Sequence, residues 1–134
     1  MSLNDTCAAW APRVLSILRI VTALVFLQHP LSKFLSFPMT MNFPATFSMV
    51  WFAGVIEAIF GVLVLLGLCT RPAAFILAGE MAFAYFIAHA SRGMYPLTNN
   101  GEPAVLFCFI FLYLAFAGPG PWSVDAMMGG KKKR

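Results

Sequence analysis

The stretch WFAGVIEAIFGVLVLLGLCTR, Trp51 to Arg71, decides the fold. It is a continuous apolar run with one acid, Glu57, near its middle. With a rise of about 1.5 Å per helical residue, about 20 residues cross the ~30 Å hydrocarbon core of a bilayer. The run is long enough, and Gly54, Gly61 and Gly67 in it let a neighbouring helix come close. An acid at the centre of a spanning helix costs on the order of 2.5–3.5 kcal/mol on insertion scales, while each Leu or Phe returns about 0.3–0.6. The run therefore inserts despite Glu57, but insertion does not account for the acid. Such a residue faces other helices or a wet cavity and meets a partner there.

Working outward, three more apolar runs flank this one. The spans are expected at about 14–37, 47–68, 72–90 and 101–117. The 134 residues are 60% apolar and 10% charged, where a soluble domain has about 25% charged residues, and the mean hydropathy is +0.82. The expected fold class is all-α, an integral membrane four-helix up-down bundle. Arg13 and Arg19 introduce the first run as basic residues introduce a signal peptide. No small-x-small cleavage site follows, and the run exceeds a signal core, so it reads as a retained helix. Arg13, Arg71 and the final KKKR lie at one end of the helices, Lys33 and Arg92 at the other. The positive-inside rule then puts both termini and the Arg71 turn in the cytoplasm. Residues 1–12 form a cytoplasmic N-terminal segment, 13–122 the transmembrane domain and 123–134 a basic cytoplasmic tail. Pro72 suits the first position of the third helix, where its missing N–H costs nothing. AGPGPW stops the last helix, with Trp122 as an interfacial anchor.

Charge and cysteine usage narrow the function. Most of the net charge of +4 sits in KKKR, and no basic patch interleaves with aromatics, which sets nucleic acid aside. A basic tail beside a span suits anionic lipid headgroups. Cys7, Cys69 and Cys108 form neither C-x-x-C nor any metal-type spacing, so no metal site and no paired dithiol is expected.

The ionisable residues inside the spans fall into two tiers. Counting from the cytoplasmic end at about 1.5 Å per residue, Arg19 lies roughly 8 Å deep, Glu80 roughly 12 Å and Glu57 roughly 17 Å. His29 lies roughly 22 Å and His89 roughly 26 Å deep. Lys33 follows His29 by four residues on the same helix face, and Asn100 and Glu102 approach from the outer loop. The inner tier, Arg19, Glu57 and Glu80, reads as a buried polar site able to hold protons or a quinone head, with Arg19 aimed at one of the acids. The outer tier is His29, Lys33, His89, Asn100 and Glu102. Each has a plainer reading: an Arg–Glu pair that only fixes helix packing, a His29 that caps a kink at Pro30, a His89 that bonds a loop carbonyl.

At these residues the chain resembles a known family. GVIEAIFGVLVLLGLCTRPAA, with its acid in the second span, its spaced glycines and its Thr-Arg turn, resembles the DoxX signature. NNGEPAVLFCFIFLYLAFAGPGPWSVD is similar to that family's last span, and Arg19 and Lys33 fit its first helix. The sequence LQHPLSK departs from it, because His29-Pro30 stands where the family usually has a small residue. The resemblance implies a small four-helix protein of the bacterial inner membrane. The family's name comes from a subunit of a thiosulfate:quinone oxidoreductase, and some relatives are linked to redox or thiol-stress partners. The expectation is a membrane subunit of a quinone- or thiol-linked redox assembly, with a protein partner or a second copy. No haem, flavin, iron–sulfur or copper motif is complete in the chain itself. Two alternatives stand beside it: a small solute or proton transporter using the inner tier, and a haem-binding subunit ligated by His29 and His89.

Overall fold

Helix α1 (Leu3–Leu35) starts well before Val14, where the apolar run begins. A capping box explains the early start: the Ser2 hydroxyl accepts from Asp5 N at 3.1 Å, and the Asp5 carboxylate accepts from Ser2 N at 3.0 Å. The helix ends at Ser36, whose φ of 52° leaves the right-handed region. Pro12 and Pro30 lie within it, and Pro30 is buried. This computed structural model describes residues 1–132. Lys133 and Arg134 of the basic tail lie outside the described residues, as do the side chains of Lys131 and Lys132.

Helix α2 (Met49–Leu66) is capped by the Ser48 hydroxyl, which accepts from Trp51 N at 3.2 Å. It ends at Gly67, whose φ of 69° is the left-handed stop that glycine adopts without strain. Helix α3 (Thr70–Ala84) continues as a π turn (Tyr85–His89) and a 3-10 turn (Ala90–Arg92). It starts at Thr70, two residues ahead of Pro72, because the Asp125 carboxylate accepts from Cys69 N at 2.9 Å and Thr70 N at 3.0 Å. Pro72 still lies in the first turn, where a missing N–H is harmless. A short helix α4 (Pro96–Asn99) precedes α5 (Glu102–Ala117), and α6 (Val124–Lys132) closes the described chain. No strand occurs among the described residues.

Three helical segments, Leu3–Leu35, Met49–Leu66 and Thr70–Arg92, are long and apolar enough to cross a membrane. Helix α5, with 16 residues, measures about 24 Å. Helix α3 packs extensively on α5, α1 on α2 and α2 on α3, while α1 and α5 touch at few positions. Phe26, Val64, Leu77, Phe111 and Leu114 are fully buried between them. Phe26 meets Phe111 edge-on, with centroids 4.9 Å apart. Outside this core, Val21, Leu24, Ile59, Val62, Phe83 and Phe109 point outward. So continuous an apolar exterior needs lipid around it.

The α1–α2 contact has a specific cause. A Cβ on Gly54 would come 2.7 Å from the Phe34 ring, and one on Gly61 2.7 Å from Leu27. Both glycines therefore lie against α1, and their missing side chains set how closely the two helices approach.

Candidate functional site

That close approach brings two charges together. Lys33 stands in the last turn of α1 and Glu57 in the first half of α2. The Lys33 ammonium donates to Glu57 Oε2 at 2.6 Å, with the side chains only 16% and 6% exposed. A charged hydrogen bond of this length is a strong interaction. It also meets the requirement that a buried charge be paired.

The pair forms part of the wall of a cavity of about 270 Å³, with His29, His89, Asn100 and Phe107. His29 packs edge-on to Phe107 at 5.9 Å and tilted to Phe26 at 6.1 Å. His89 comes from the π turn, a feature frequent at functional sites because it re-aims side chains. Its Nδ1 lies 3.1 Å from Asn99 O. A carbonyl only accepts, so Nδ1 carries the hydrogen and Nε2 is the free nitrogen of neutral His89. Asn99 is itself buried. Its amide donates to Tyr85 Oη at 3.2 Å and Gly93 O at 3.0 Å, and its carbonyl oxygen accepts from Gly101 N at 2.8 Å. The loop from Gly93 to Gly101 is thus tied down around one side chain.

A larger groove of about 720 Å³ lies where α1 and α5 separate. Val21, Val25, Leu106 and Ile110 form its apolar sides; Gln28 and Glu102 add polar groups. His29, Lys33, Pro103 and Phe107 line both spaces.

The two tiers expected from residue counting regroup. Glu57 joins Lys33, His29 and His89, residues assigned to the opposite tier. Glu80 joins neither group, and neither of its buried carboxyl oxygens has a hydrogen-bond partner. Arg19 does not meet either acid. Its guanidinium, 1% exposed, donates to Pro119 O and, at 2.7 Å, to Trp122 O. The Ser16 hydroxyl, one turn earlier, accepts from Trp122 N at 3.1 Å. Arg71 donates to Ala115 O and Phe116 O at the C-terminus of α5, where the helix dipole favours a cation. Sequence reasoning read AGPGPW as a helix stop with Trp122 as an interfacial anchor. The stretch is also the acceptor of the buried arginine, and its prolines were the available signal: they lack N–H groups, so their segment forms no helix and leaves its carbonyls free. The plainer reading of His89, a bond to a loop carbonyl, is met by Asn99 O; what the sequence did not mark is that Asn99 is the residue concerned and that its side chain is buried.

Among the described residues no three His, Cys, Asp or Glu side chains group as metal ligands. The cysteines are free, Cys7 and Cys69 exposed and Cys108 half-buried.

Comparison with known proteins gives this geometry a setting. The DoxX family profile matches residues 14–90, more than half of the chain. An uncharacterised Haemophilus influenzae protein is 45% identical over 122 residues, covering 87% of this chain and 91% of that one. An uncharacterised membrane protein of Mycobacterium tuberculosis is 29% identical, over 93% and 92% of the two chains. CatD of Bacillus subtilis, provisionally named an oxidoreductase, is 29% identical over 87% and 88%. No solved structure matches.

Proposed function

Because the chain belongs to the DoxX family, we propose that it is a small membrane subunit of a redox assembly in which the groove between α1 and α5 holds a quinone. Helices α1, α2, α3 and α5 are its four-helix up-down bundle, set in the bacterial inner membrane with both termini cytoplasmic. The electron carrier belongs to a partner protein, quinone- or thiol-linked, since the chain carries no complete cofactor motif of its own.

The observation that carries this reading is the groove. Its volume of about 720 Å³ falls within the roughly 300–1,000 Å³ typical of small-molecule sites. Its apolar sides suit an isoprenoid tail, and its polar end presents His29 beside the Lys33–Glu57 pair. Quinone chemistry exchanges protons along with electrons. His29 and Glu102 line the groove and can hold a proton, Glu57 stands behind Lys33, and Lys33 keeps N–H donors beyond the one given to Glu57. Arg19 belongs to the scaffold of this site and not to its chemistry.

The test is binding of a short-tailed quinone analogue to the protein in proteoliposomes, followed by quenching of tryptophan fluorescence. Saturable binding is expected, weakened by an order of magnitude when Leu106→Trp fills the groove. Purification from native membranes should recover a redox partner or quinone. Absence of saturable binding, together with purification free of both, overturns the reading.

A further inference from the structure

We infer that the 270 Å³ cavity is a hydrated chamber that carries protons between the Lys33–Glu57 pair and the membrane side bearing the Gly93–Gly101 loop, with His89 as the proton acceptor at its loop end. The inference goes beyond the quinone reading and stands if no quinone binds, because it concerns water and protons at a different cavity.

The argument begins with unused polar atoms. Glu57 accepts from Lys33 through Oε2, which leaves Oε1. The buried side-chain atoms without partners are Arg19 Nε, Thr70 Oγ1 and the two Glu80 oxygens, among the described residues. Glu57 Oε1 is absent from that set although Glu57 is 5% exposed, so it opens onto space a water molecule can reach. The same holds for the unbonded nitrogen of His89. The Lys33 ammonium keeps two of its three donors. A cavity with several convergent polar groups and room for several waters, at about 30 Å³ each, is wet, whereas an apolar one of that size stays dry. Water here supplies the partners that these groups lack in the protein.

The geometry also gives the chamber a direction. Its wall is built from the last turn of α1 at Lys33, the start of α5 at Ala104, and the π turn at His89 with neighbouring Asn100. All of these lie at the loop end of the molecule. Toward the other end, Phe26, Leu77, Phe111 and Leu114 close the interior. One tautomer of neutral His89 is fixed by its neighbour. Asn99 O takes the Nδ1 hydrogen, so a proton arriving by water binds at Nε2. The titratable groups facing it are Tyr85, stacked at 6.5 Å on its own turn, and His29, Lys33 and Glu57 across the chamber.

Silver-ion accessibility tests this in sealed vesicles of both orientations, using full-length protein with Cys7, Cys69 and Cys108 changed to Ala. Ala104→Cys reports on the chamber, and Ala78→Cys on the core. Both parent alanines are buried, but only Ala104 lines the cavity. The cysteine at 104 should be blocked at least an order of magnitude faster than that at 78, and only from the loop side. Equal rates, or faster reaction from the opposite side, overturn the proposal. Ala84→Cys, also on the wall, asks the same question if Ala104→Cys does not fold. Nitrogen-15 NMR of the unmutated protein should find the neutral His89 hydrogen on Nδ1 and water at Nε2. A hydrogen on Nε2, or an Nε2 without water, overturns the role given to His89.

Discussion

Lys33 and Glu57 resolve at the level of single residues the cost of keeping an acid in an apolar helix. Neither charge is tolerable alone in the interior, and together they cancel at 2.6 Å. Breaking such a pair from one side leaves an uncompensated charge and costs about 3–5 kcal/mol, while replacing both partners by apolar residues of similar volume is often neutral. Lys33→Met should therefore lower thermal stability in detergent, followed by circular dichroism, by roughly that amount. Lys33→Met with Glu57→Met should recover most of the loss. A double variant as unstable as the single one would mean that the pair does not account for the effect. Glu57→Gln keeps shape and hydrogen bonding but loses charge and titratable proton. It leaves Lys33 without its counter-charge, so it should lose stability toward that same ~3–5 kcal/mol, eased by the hydrogen bond the amide oxygen still accepts, and the folded protein should show lower activity in the purified assembly. Full activity in that variant would leave the carboxylate as packing only.

At the scale of the elements, caps and glycines decide where helices begin and how closely they approach. Asp125, at the start of α6, caps α3 across 55 residues of chain. Burial raises its carboxyl pKa, but the backbone N–H groups of Thr70 and Cys69 and the Arg19 charge outweigh it and hold the group below the usual carboxylate range. A depressed native pKa means a contribution present above the unfolded value of about 3.9 and lost as pH falls through the native one. Asp125→Ala should thus cost about 1 kcal/mol near neutral pH. The gap to wild type, read as the difference in melting temperature, should close as the solution is acidified below about pH 4. A gap independent of pH would refute the capping role. On α2, Gly61→Leu should cost about 1–3 kcal/mol by overpacking against Leu27. The same change at Gly79, where a Cβ meets nothing, should cost little, and equal losses at the two sites would count against glycine-controlled approach.

The whole molecule is tied at its two ends by different chemistry. At one end Arg19, Arg71 and Asp125 bind backbone groups of distant segments, joining α1, the α2–α3 turn, the end of α5 and α6. At the other, Asn99 and the ion pair organise the loop and the two cavities. Arg19→Ala removes two hydrogen bonds from a charged donor, each worth about 1.5–3 kcal/mol. The segment from Gly118 to Trp122 should then open more often, and chymotrypsin should cut at Trp122 at least an order of magnitude faster. Unchanged cleavage would show that other contacts hold the segment. Arg19→Lys should rescue only in part, because an ammonium lacks the planar fork that reaches both carbonyls.

Length, hydropathy and caps are local properties, and the sequence alone determined what depends on them. The apolar runs announced an all-helical membrane protein, and Pro72 marked the first turn of α3. The order of motifs around Glu57, Thr70-Arg71 and Asn100-Gly101 identified the family. The partners of the charges were decided only in three dimensions. Residue counting placed Lys33 and Glu57 in separate tiers. A long lysine stem carries its charge well away from its own backbone, and Gly54 lets α1 close in until Lys33 meets Glu57. Counting likewise aimed Arg19 at the nearest acids by depth. Its acceptors are carbonyls about a hundred residues further along the chain, and they became available because Pro119 and Pro121 end α5 beside α1. The facing of a helix, the approach of two backbones and the turn that re-aims His89 are set by packing between elements. No run of residues read along the chain contains them.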